Sequence, residues 1–388
     1  MSAKEVFYNA MVLREPYSGV EVTVHQLACS LAQFGSFPIR CCIPRGQREI
    51  PVPAKGDFRL IYASEKTARS RMMRILWEQT VLPVLLWRNH ASLLHNPAYV
   101  SPLLTPCPTV VTIHDLHVMT HPQFCQKRNR LYFNLMIPQS VRKAAAVIVF
   151  SRYTKQTVLN RFPQVAERIH VIPPGLSEAF CRCTDFANLQ RVKQKYRLPT
   201  SFLLFVGDMT SRKNISGLLS AFVIIQGERP DLHLVLAGAN TPEVLASIER
   251  FTRQHDIRHR VRSIGYVNQT DLPVLYSLAQ AFVFPSHDEG FGLPPLEAMA
   301  CGCPVVCSGG AALDICGKAA VLCEPSDHTS IATAVSALLD HPDIRREKVE
   351  AGYKKASLFS WKKAALATEK VYRLVMGMTN GSRPKSCR

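Results

Sequence analysis

The strongest constraint on the fold is a repeated alternation. Short β-rich runs are each followed by a turn and a helical stretch, and the pattern starts twice along the chain. Such alternation packs into α/β layers around parallel sheets. The first series has its clearest strands at Val6–Asn9, Ile39–Ile43, Thr109–Ile113 and Ala146–Phe150, with a helix over Val20–Phe34 that stops at Gly35. Residues Arg168–Pro174 run as a strand into the break Pro173-Pro174-Gly175. The second series begins at Phe202–Val206, continues through a helix at Ile215–Ile225 and a strand at Leu232–Ala237, and adds strands at Val261–Ile264, Ala281–Phe284, Pro304–Cys307 and Ala320–Cys323. A polar, basic, weakly patterned stretch between Leu176 and Leu198 separates the two.

A chain of 388 residues suits two domains rather than one core. The expectation is an α/β protein of two Rossmann-like domains facing each other across a cleft: residues 1–180, residues 181–360, and a C-terminal segment 361–388 packing back on the first through a helix at Trp361–Met376. A basic tail, Ser382–Arg388, closes the chain. The N-terminus has no secretory pattern, and Val81–Leu86 is interrupted by Pro83 and followed by Arg88, too short to span a bilayer. The thirteen cysteines lack paired C-x-x-C zinc spacing, and several lie in apolar runs, so they are expected to be reduced, structural thiols in the cytoplasm.

The formal net charge is +18, and residues 1–180 hold 21 Lys and Arg against 10 Asp and Glu, a net of +11. That balance admits nucleic acid or an anionic membrane as partners. No recognition helix or RNA-binding motif favours nucleic acid, and none is expected as a partner. In Lys66–Arg88 five cations surround Met72, Met73, Ile75, Leu76, Trp77 and Leu82. This segment supports peripheral docking on an anionic membrane, with an ordinary core-packed helix as the alternative.

The window Pro285–Val306 carries the most chemistry. It begins at the end of a strand, where open α/β sheets bind ligands. In Glu289-Gly290-Phe291-Gly292 the glycines allow backbone N–H groups close to an anion, and Pro294 and Pro295 suit the first turn of a helix that Gly302 stops. A helix N-terminus of this kind seats a diphosphate. Glu289 and Glu297 flank that seat; Glu297 is expected on the first turn, and both carboxylates suit sugar or ribose hydroxyls better than phosphate. The loop Gly207–Asn214 follows the first strand of the second series, placing Arg212 and Lys213 at the same sheet edge as a cationic clamp. Thr112–Leu116 puts His114 and Asp115 after a strand of the first series, His114 to orient a reacting sugar, Asp115 to hold His114 or fix a turn. Ser18 and Gly19 precede the helix Val20–Phe34 as a phosphate-approach loop. Packed histidine, turn aspartate and solvated loop charges are the plainer readings of these positions.

Together these segments resemble glycosyltransferase family 4, retaining enzymes of GT-B fold. The resemblance runs from SGV at residue 18, through LWEQ at 76–79, TIHDL at 112–116 and the Gly207–Asn214 loop, to EGFGLPPLEAMACGCPVV at 289–306 and FSW at 359–361. The spacing of Glu289 and Glu297 matches the family's E-x7-E motif. The resemblance implies that Glu289 contacts the donor sugar and Glu297 the ribose, that Arg212 and Lys213 bind the diphosphate, that Gly290, Phe291, Gly292 and Leu293 complete the donor site, and that His114 is the family's histidine. Two positions depart from the pattern: Asp208 stands where some members have Arg, and Leu313-Asp314 where relatives often have Pro-Glu. The implied reaction is hexosyl transfer from a nucleotide sugar to a glycan or lipid-linked acceptor by front-face substitution. No D-x-D motif is present, so neither metal nor other cofactor is expected. Likeness to mannosyltransferases of surface-polysaccharide assembly points to GDP-mannose. A nucleotide-sugar epimerase or phosphorylase of the same fold, or a basic nucleic-acid-binding protein, are the alternatives.

Overall fold

In the computed structural model, residues 4–15, 17–47, 50, 51, 57–125 and 127–377 are described; the basic tail lies outside them. The chain forms two compact units, one of residues up to Gly175 together with those from Phe359 onward, the other Leu176–Leu358.

The first unit is a seven-stranded sheet of β1 (Val6–Asn9), β2 (Ile39–Pro44), β3 (Phe58–Ala63), β4 (Leu93–Asn96), β5 (Thr109–Ile113), β6 (Ala146–Val149) and β7 (Ile169–Val171), in the order β3-β2-β1-β4-β5-β6-β7. Every pairing is parallel, with Tyr8 opposite both Cys41 and His95. The strands are apolar on both faces because helices cover both, as parallel sheets require. The helix Trp361–Val375 packs on the helix Gly19–Phe34. Tyr372 is fully buried there, its hydroxyl 2.7 Å from His95 Nδ1. Burial in turn drives the His95 pKa down to about 3. Glu369 accepts the backbone N–H groups of Ser36 at 2.5 Å and Phe37 at 3.2 Å. The chain returns closely enough that a Cβ on Gly175 would sit 2.1 Å from the Trp361 nitrogen.

The second unit is a six-stranded parallel sheet of β8 (Ser201–Val206), β9 (Leu232–Ala237), β10 (Val261–Gly265), β11 (Ala281–Phe284), β12 (Val305–Cys307) and β13 (Ala320–Leu322), in the order β10-β9-β8-β11-β12-β13. Phe202, Phe205, Phe282 and Phe284 are fully buried on its central strands. Both orders reverse direction once, between β1 and β4 and between β8 and β11, and the carboxyl edge beside such a reversal is where doubly wound sheets bind ligands. At that edge Gly207 and Gly238, ending β8 and β9, have φ of +149° and +144°, and a Cβ on Gly238 would lie 2.0 Å from the Gly207 carbonyl oxygen. Only glycine tolerates this approach.

The cysteines among the described residues are free thiols, with Cys41, Cys42, Cys301, Cys303, Cys307, Cys316 and Cys323 buried. Among the described residues no helix is long and apolar enough to cross a membrane.

Candidate active site

The reversal between β8 and β11 places two loops side by side. After β8 the chain makes a single 3-10 turn at Ser211–Lys213, then Asn214 adopts a left-handed conformation with φ of 57°. Asparagine tolerates that geometry better than most residues. It also caps the helix Ile215–Glu228 by accepting the Gly217 N–H, while its Nδ2 donates to the carbonyls of Pro285 at 3.1 Å and Pro325 at 2.6 Å. One side chain thereby ties three segments together. The Arg212 carbonyl accepts the His287 N–H at 2.9 Å, and the Arg212 guanidinium donates to the Asp288 carbonyl at 2.5 Å.

This bracing brings Arg212, Lys213 and Glu289 into one cluster. Glu289 Oε1 lies 2.6 Å from Lys213 Nζ and 2.8 Å from Arg212 Nη1. Lys213 Nζ also sits 4.5 Å from the centre of the Phe284 ring. Burial pushes the Glu289 carboxyl up, but Lys213 and Arg212 together hold it below its ordinary range, so it is ionised. Burial, with Arg212 alongside, pushes the Lys213 ammonium down against the pull of Glu289. Two cations share this one carboxylate, and Asp208 also lies within electrostatic reach of Lys213. The plainer reading of Glu289 as a solvated loop charge does not hold, because it is the hub of a largely buried ion-pair cluster.

Gly292, with φ of +102°, precedes the helix Leu293–Ala300, which has Pro294 in its first turn. Gly290 and Phe291 are buried beside it. Glu297 is the fifth residue of this helix and opens its second turn, not its first as expected, because the helix begins at Leu293, one residue before the prolines. It is half-buried, accepts a hydrogen bond from the Tyr276 hydroxyl at 3.0 Å, and is pushed by burial up to about 7. Glu289 and Glu297 therefore occupy different environments, one ionised by paired cations, the other half-titrated at neutral pH.

In the first unit His114 follows β5 and is buried, with Nε2 donating to the Pro97 carbonyl at 2.7 Å and its ring against Tyr99 and Phe150. Burial lowers its pKa, so the ring is neutral and Nδ1 keeps its lone pair. Asp115 acts on His114 through its charge, while its hydrogen bonds run to His117 and Tyr99. Its Oδ1 lies 2.5 Å from His117 Nδ1 and accepts the His117 N–H at 3.3 Å, and the Tyr99 hydroxyl donates to Oδ2 at 3.2 Å. It fixes the turn, one of the two roles the sequence left open. Ser18 is the N-cap of the helix Gly19–Phe34, and its N–H and hydroxyl both engage Glu21, at 3.3 and 2.5 Å. A carboxylate thus occupies the groups assigned to phosphate; the S-x-x-E capping pattern was legible at Ser18–Glu21. A Cβ on Gly19 would meet nothing within 4 Å.

Asn214 and Tyr276 were not among the residues singled out. Asn214 had a local signal, asparagine immediately before a helical pattern. Tyr276 had none, because its partner is 21 residues away. Among the described residues no three His, Cys, Asp or Glu side chains gather as metal ligands.

The two halves match two family descriptions, "Glycosyltransferase Family 4" over residues 17–180 and "Glycosyl transferases group 1" over residues 188–355. The chain belongs to glycosyltransferase family 4 and is a glycosyltransferase of GT-B fold. It is 34% identical over 272 residues to O-antigen chain mannosyltransferase B of Escherichia coli, covering 69% of this chain and 70% of that protein. Among solved structures it resembles sucrose-phosphate synthase from Thermosynechococcus elongatus, with a TM-score of 0.74, 22% identity, and 96% and 99% of the two chains covered. It likewise resembles Anabaena Alr3699/HepE in complex with UDP and glucose, with a TM-score of 0.72, 16% identity, and 96% and 100% covered. At these identities the two structures establish the fold alone.

Proposed function

We propose that this glycosyltransferase moves a mannosyl group from GDP-mannose to a lipid-linked acceptor in surface-polysaccharide assembly, with retention at the anomeric carbon. The observation that carries the reading is the Arg212–Lys213–Glu289 cluster at the β8/β11 reversal, whose two adjacent cations suit a diphosphate. The likeness to an O-antigen mannosyltransferase supports the sugar.

In this reading the second unit holds the donor. Arg212 and Lys213 take the diphosphate, aided by the N–H groups at Gly290–Leu293, and stabilise the charge that builds on it as the sugar leaves. Glu289 orients the sugar hydroxyls and Glu297 accepts those of the ribose. The bond from the anomeric carbon to the phosphate oxygen breaks as the acceptor oxygen bonds to that carbon on the same face. The acceptor's proton passes to the departing phosphate oxygen, so no protein nucleophile is needed. Neutral His114 positions the sugar through Nδ1. The paired cations take the place of a metal ion. The enzyme works in the cytoplasm and docks on an anionic membrane. That docking is supported by the helix Arg71–Arg88, where only Leu82 and Leu86 are buried while Met72, Leu76 and Trp87 are 78%, 53% and 68% exposed.

The test is a panel of nucleotide sugars, each with and without a membrane-extracted acceptor, following released nucleoside diphosphate and the anomeric configuration of the product by NMR. Acceptor-dependent release from GDP-mannose with an α-linked product is expected. Inverted product, or isomerised donor without acceptor, would refute the reading.

A further inference from the structure

In the first unit β7 is an edge strand, paired with β6 alone. The sheet is incompletely covered there. The helix Arg152–Arg161, which follows β6, the strand β7 and the returning helix Trp361–Val375 enclose a groove of about 660 Å³. Small-molecule sites commonly span ~300–1,000 Å³. Ile169, Ile172 and Val371 are the buried part of its lining. Val171, Ala367 and Leu374 are the open apolar part, Val171 and Leu374 being 36% and 62% exposed.

The polar side chains of the groove are all basic. Lys155 comes from one helix, Lys370 from the other and His170 from β7. Among the described residues no carboxylate pairs with either lysine. The adjacent Glu369 is committed to the N–H groups of Ser36 and Phe37. His170 Nε2 is buried without a hydrogen-bond partner, which is unfavourable for a ring nitrogen. Burial and the nearby Lys155 push this imidazole toward its neutral form, in which one ring N–H remains to donate. Two unmatched cations and an unsatisfied ring nitrogen, set among apolar side chains, fit an anion that carries an apolar chain. The end of this chain does not match by charge, since residues 378–388 hold Arg383, Lys385 and Arg388 and no acidic residue. A second copy of the same face would set lysine against lysine. A carboxylate offers one oxygen to each ammonium, and it costs less to desolvate among apolar groups than a doubly charged phosphate.

We propose that this groove binds a medium- or long-chain carboxylate, with Lys155 and Lys370 on the carboxylate oxygens, the His170 ring turned to donate to one of them, and the hydrocarbon chain along Val171, Ala367 and Leu374. The site is separate from the transfer reaction above and does not depend on it. The bound molecule joins the helix Trp361–Val375 to the sheet edge. That helix also carries Tyr372 and Glu369, which bond to His95 and Ser36, so the ligand stabilises the first unit.

The test uses dodecanoate as probe, below its micelle concentration, titrated calorimetrically into the full chain. One equivalent is expected to bind, at least about tenfold tighter than dodecanol or acetate, since each of these supplies only half of the contacts. Lys155→Gln and Lys370→Gln each weaken it about tenfold through loss of a charge-assisted hydrogen bond. Leu374→Asp, at an exposed position, weakens dodecanoate by placing a like charge beside its chain. The ligand-free variants are expected to melt as the wild type does, because no buried apolar group is removed. Dodecanoate raises the melting temperature of the wild type and leaves that of the double variant Lys155→Gln with Lys370→Gln unmoved. Failure of dodecanoate to bind, or unchanged affinity in the double variant, overturns the proposal. So does dodecanol binding as tightly, which makes the groove merely apolar. Dodecyl phosphate binding more tightly than dodecanoate also overturns it, by assigning the head to phosphate.

Discussion

The Glu297 carboxyl offers the sharpest quantitative check on the donor site. Burial carries it from 4.5 to about 7. At ~1.4 kcal/mol per pH unit, this is about 3 kcal/mol of differential stability between its two protonation states. The folded protein keeps the proton to higher pH than the unfolded chain. Between pH 4.5 and 7 the native state therefore binds more protons, and stability is full below the lower value and falls as pH rises to the upper one. Glu297→Gln fixes the neutral form and removes that slope. Near pH 5 the two proteins are expected to differ by less than about 1 kcal/mol. By pH 8 the glutamine variant should be the more stable, by up to about 3 kcal/mol, or on the order of 6–10 °C in the transition of the second unit. Tyr276→Phe removes the hydrogen bond that favours the ionised carboxyl, shifting the loss of stability to higher pH. The assay is calorimetric melting of the three proteins from pH 4.5 to 8.5, with GDP titrations at the same pH values. If Glu297 takes the ribose as a carboxylate, wild-type GDP affinity falls on acidification below about 7, and the glutamine variant binds weakly throughout. Wild type and Glu297→Gln melting in parallel across the range would refute the reasoning.

Glu289→Gln should lower transfer at least about 100-fold; because it strips the shared carboxylate from Arg212 and Lys213, it should also lower the melting temperature by several degrees, on the order of 1–3 kcal/mol. More than half the wild-type rate, or an unchanged melting curve, contradicts the hub role. Transfer is expected to persist within about twofold in excess EDTA, the clamp of Arg212 and Lys213 standing where other enzymes use a cation; loss on chelation with rescue by manganese counts against it. Binding to phosphatidylglycerol vesicles should be present at low salt, weaken at high salt, and drop on Leu76→Glu, each basic group engaged at the surface being worth about 1 kcal/mol; salt-independent sedimentation excludes electrostatic docking.

The amino-acid sequence by itself determined the elements that local pattern can encode. Apolar runs punctuated by glycine and proline located eleven of the thirteen strands among the described residues, and the Glu289–Val306 window marked the loop and helix after β11. The two strands it did not single out, β3 and β4, show why pattern has limits: Phe58–Ala63 alternates poorly, and Leu93–Asn96 is four residues ending in His and Asn, whose burial comes from Tyr372 and Asn9 far along the chain. Only tertiary structure decided which charges meet. Glu289 lies 76 positions from Lys213, and nothing in either segment encodes that the β8/β11 reversal sets them 2.6 Å apart. It alone decided, too, which face of Arg71–Arg88 is covered, since Met72, Leu76 and Trp87 are as apolar as the buried Leu82 and Leu86. Periodicity reports that a helix has an apolar side; whether another element covers that side is a property of the packed chain.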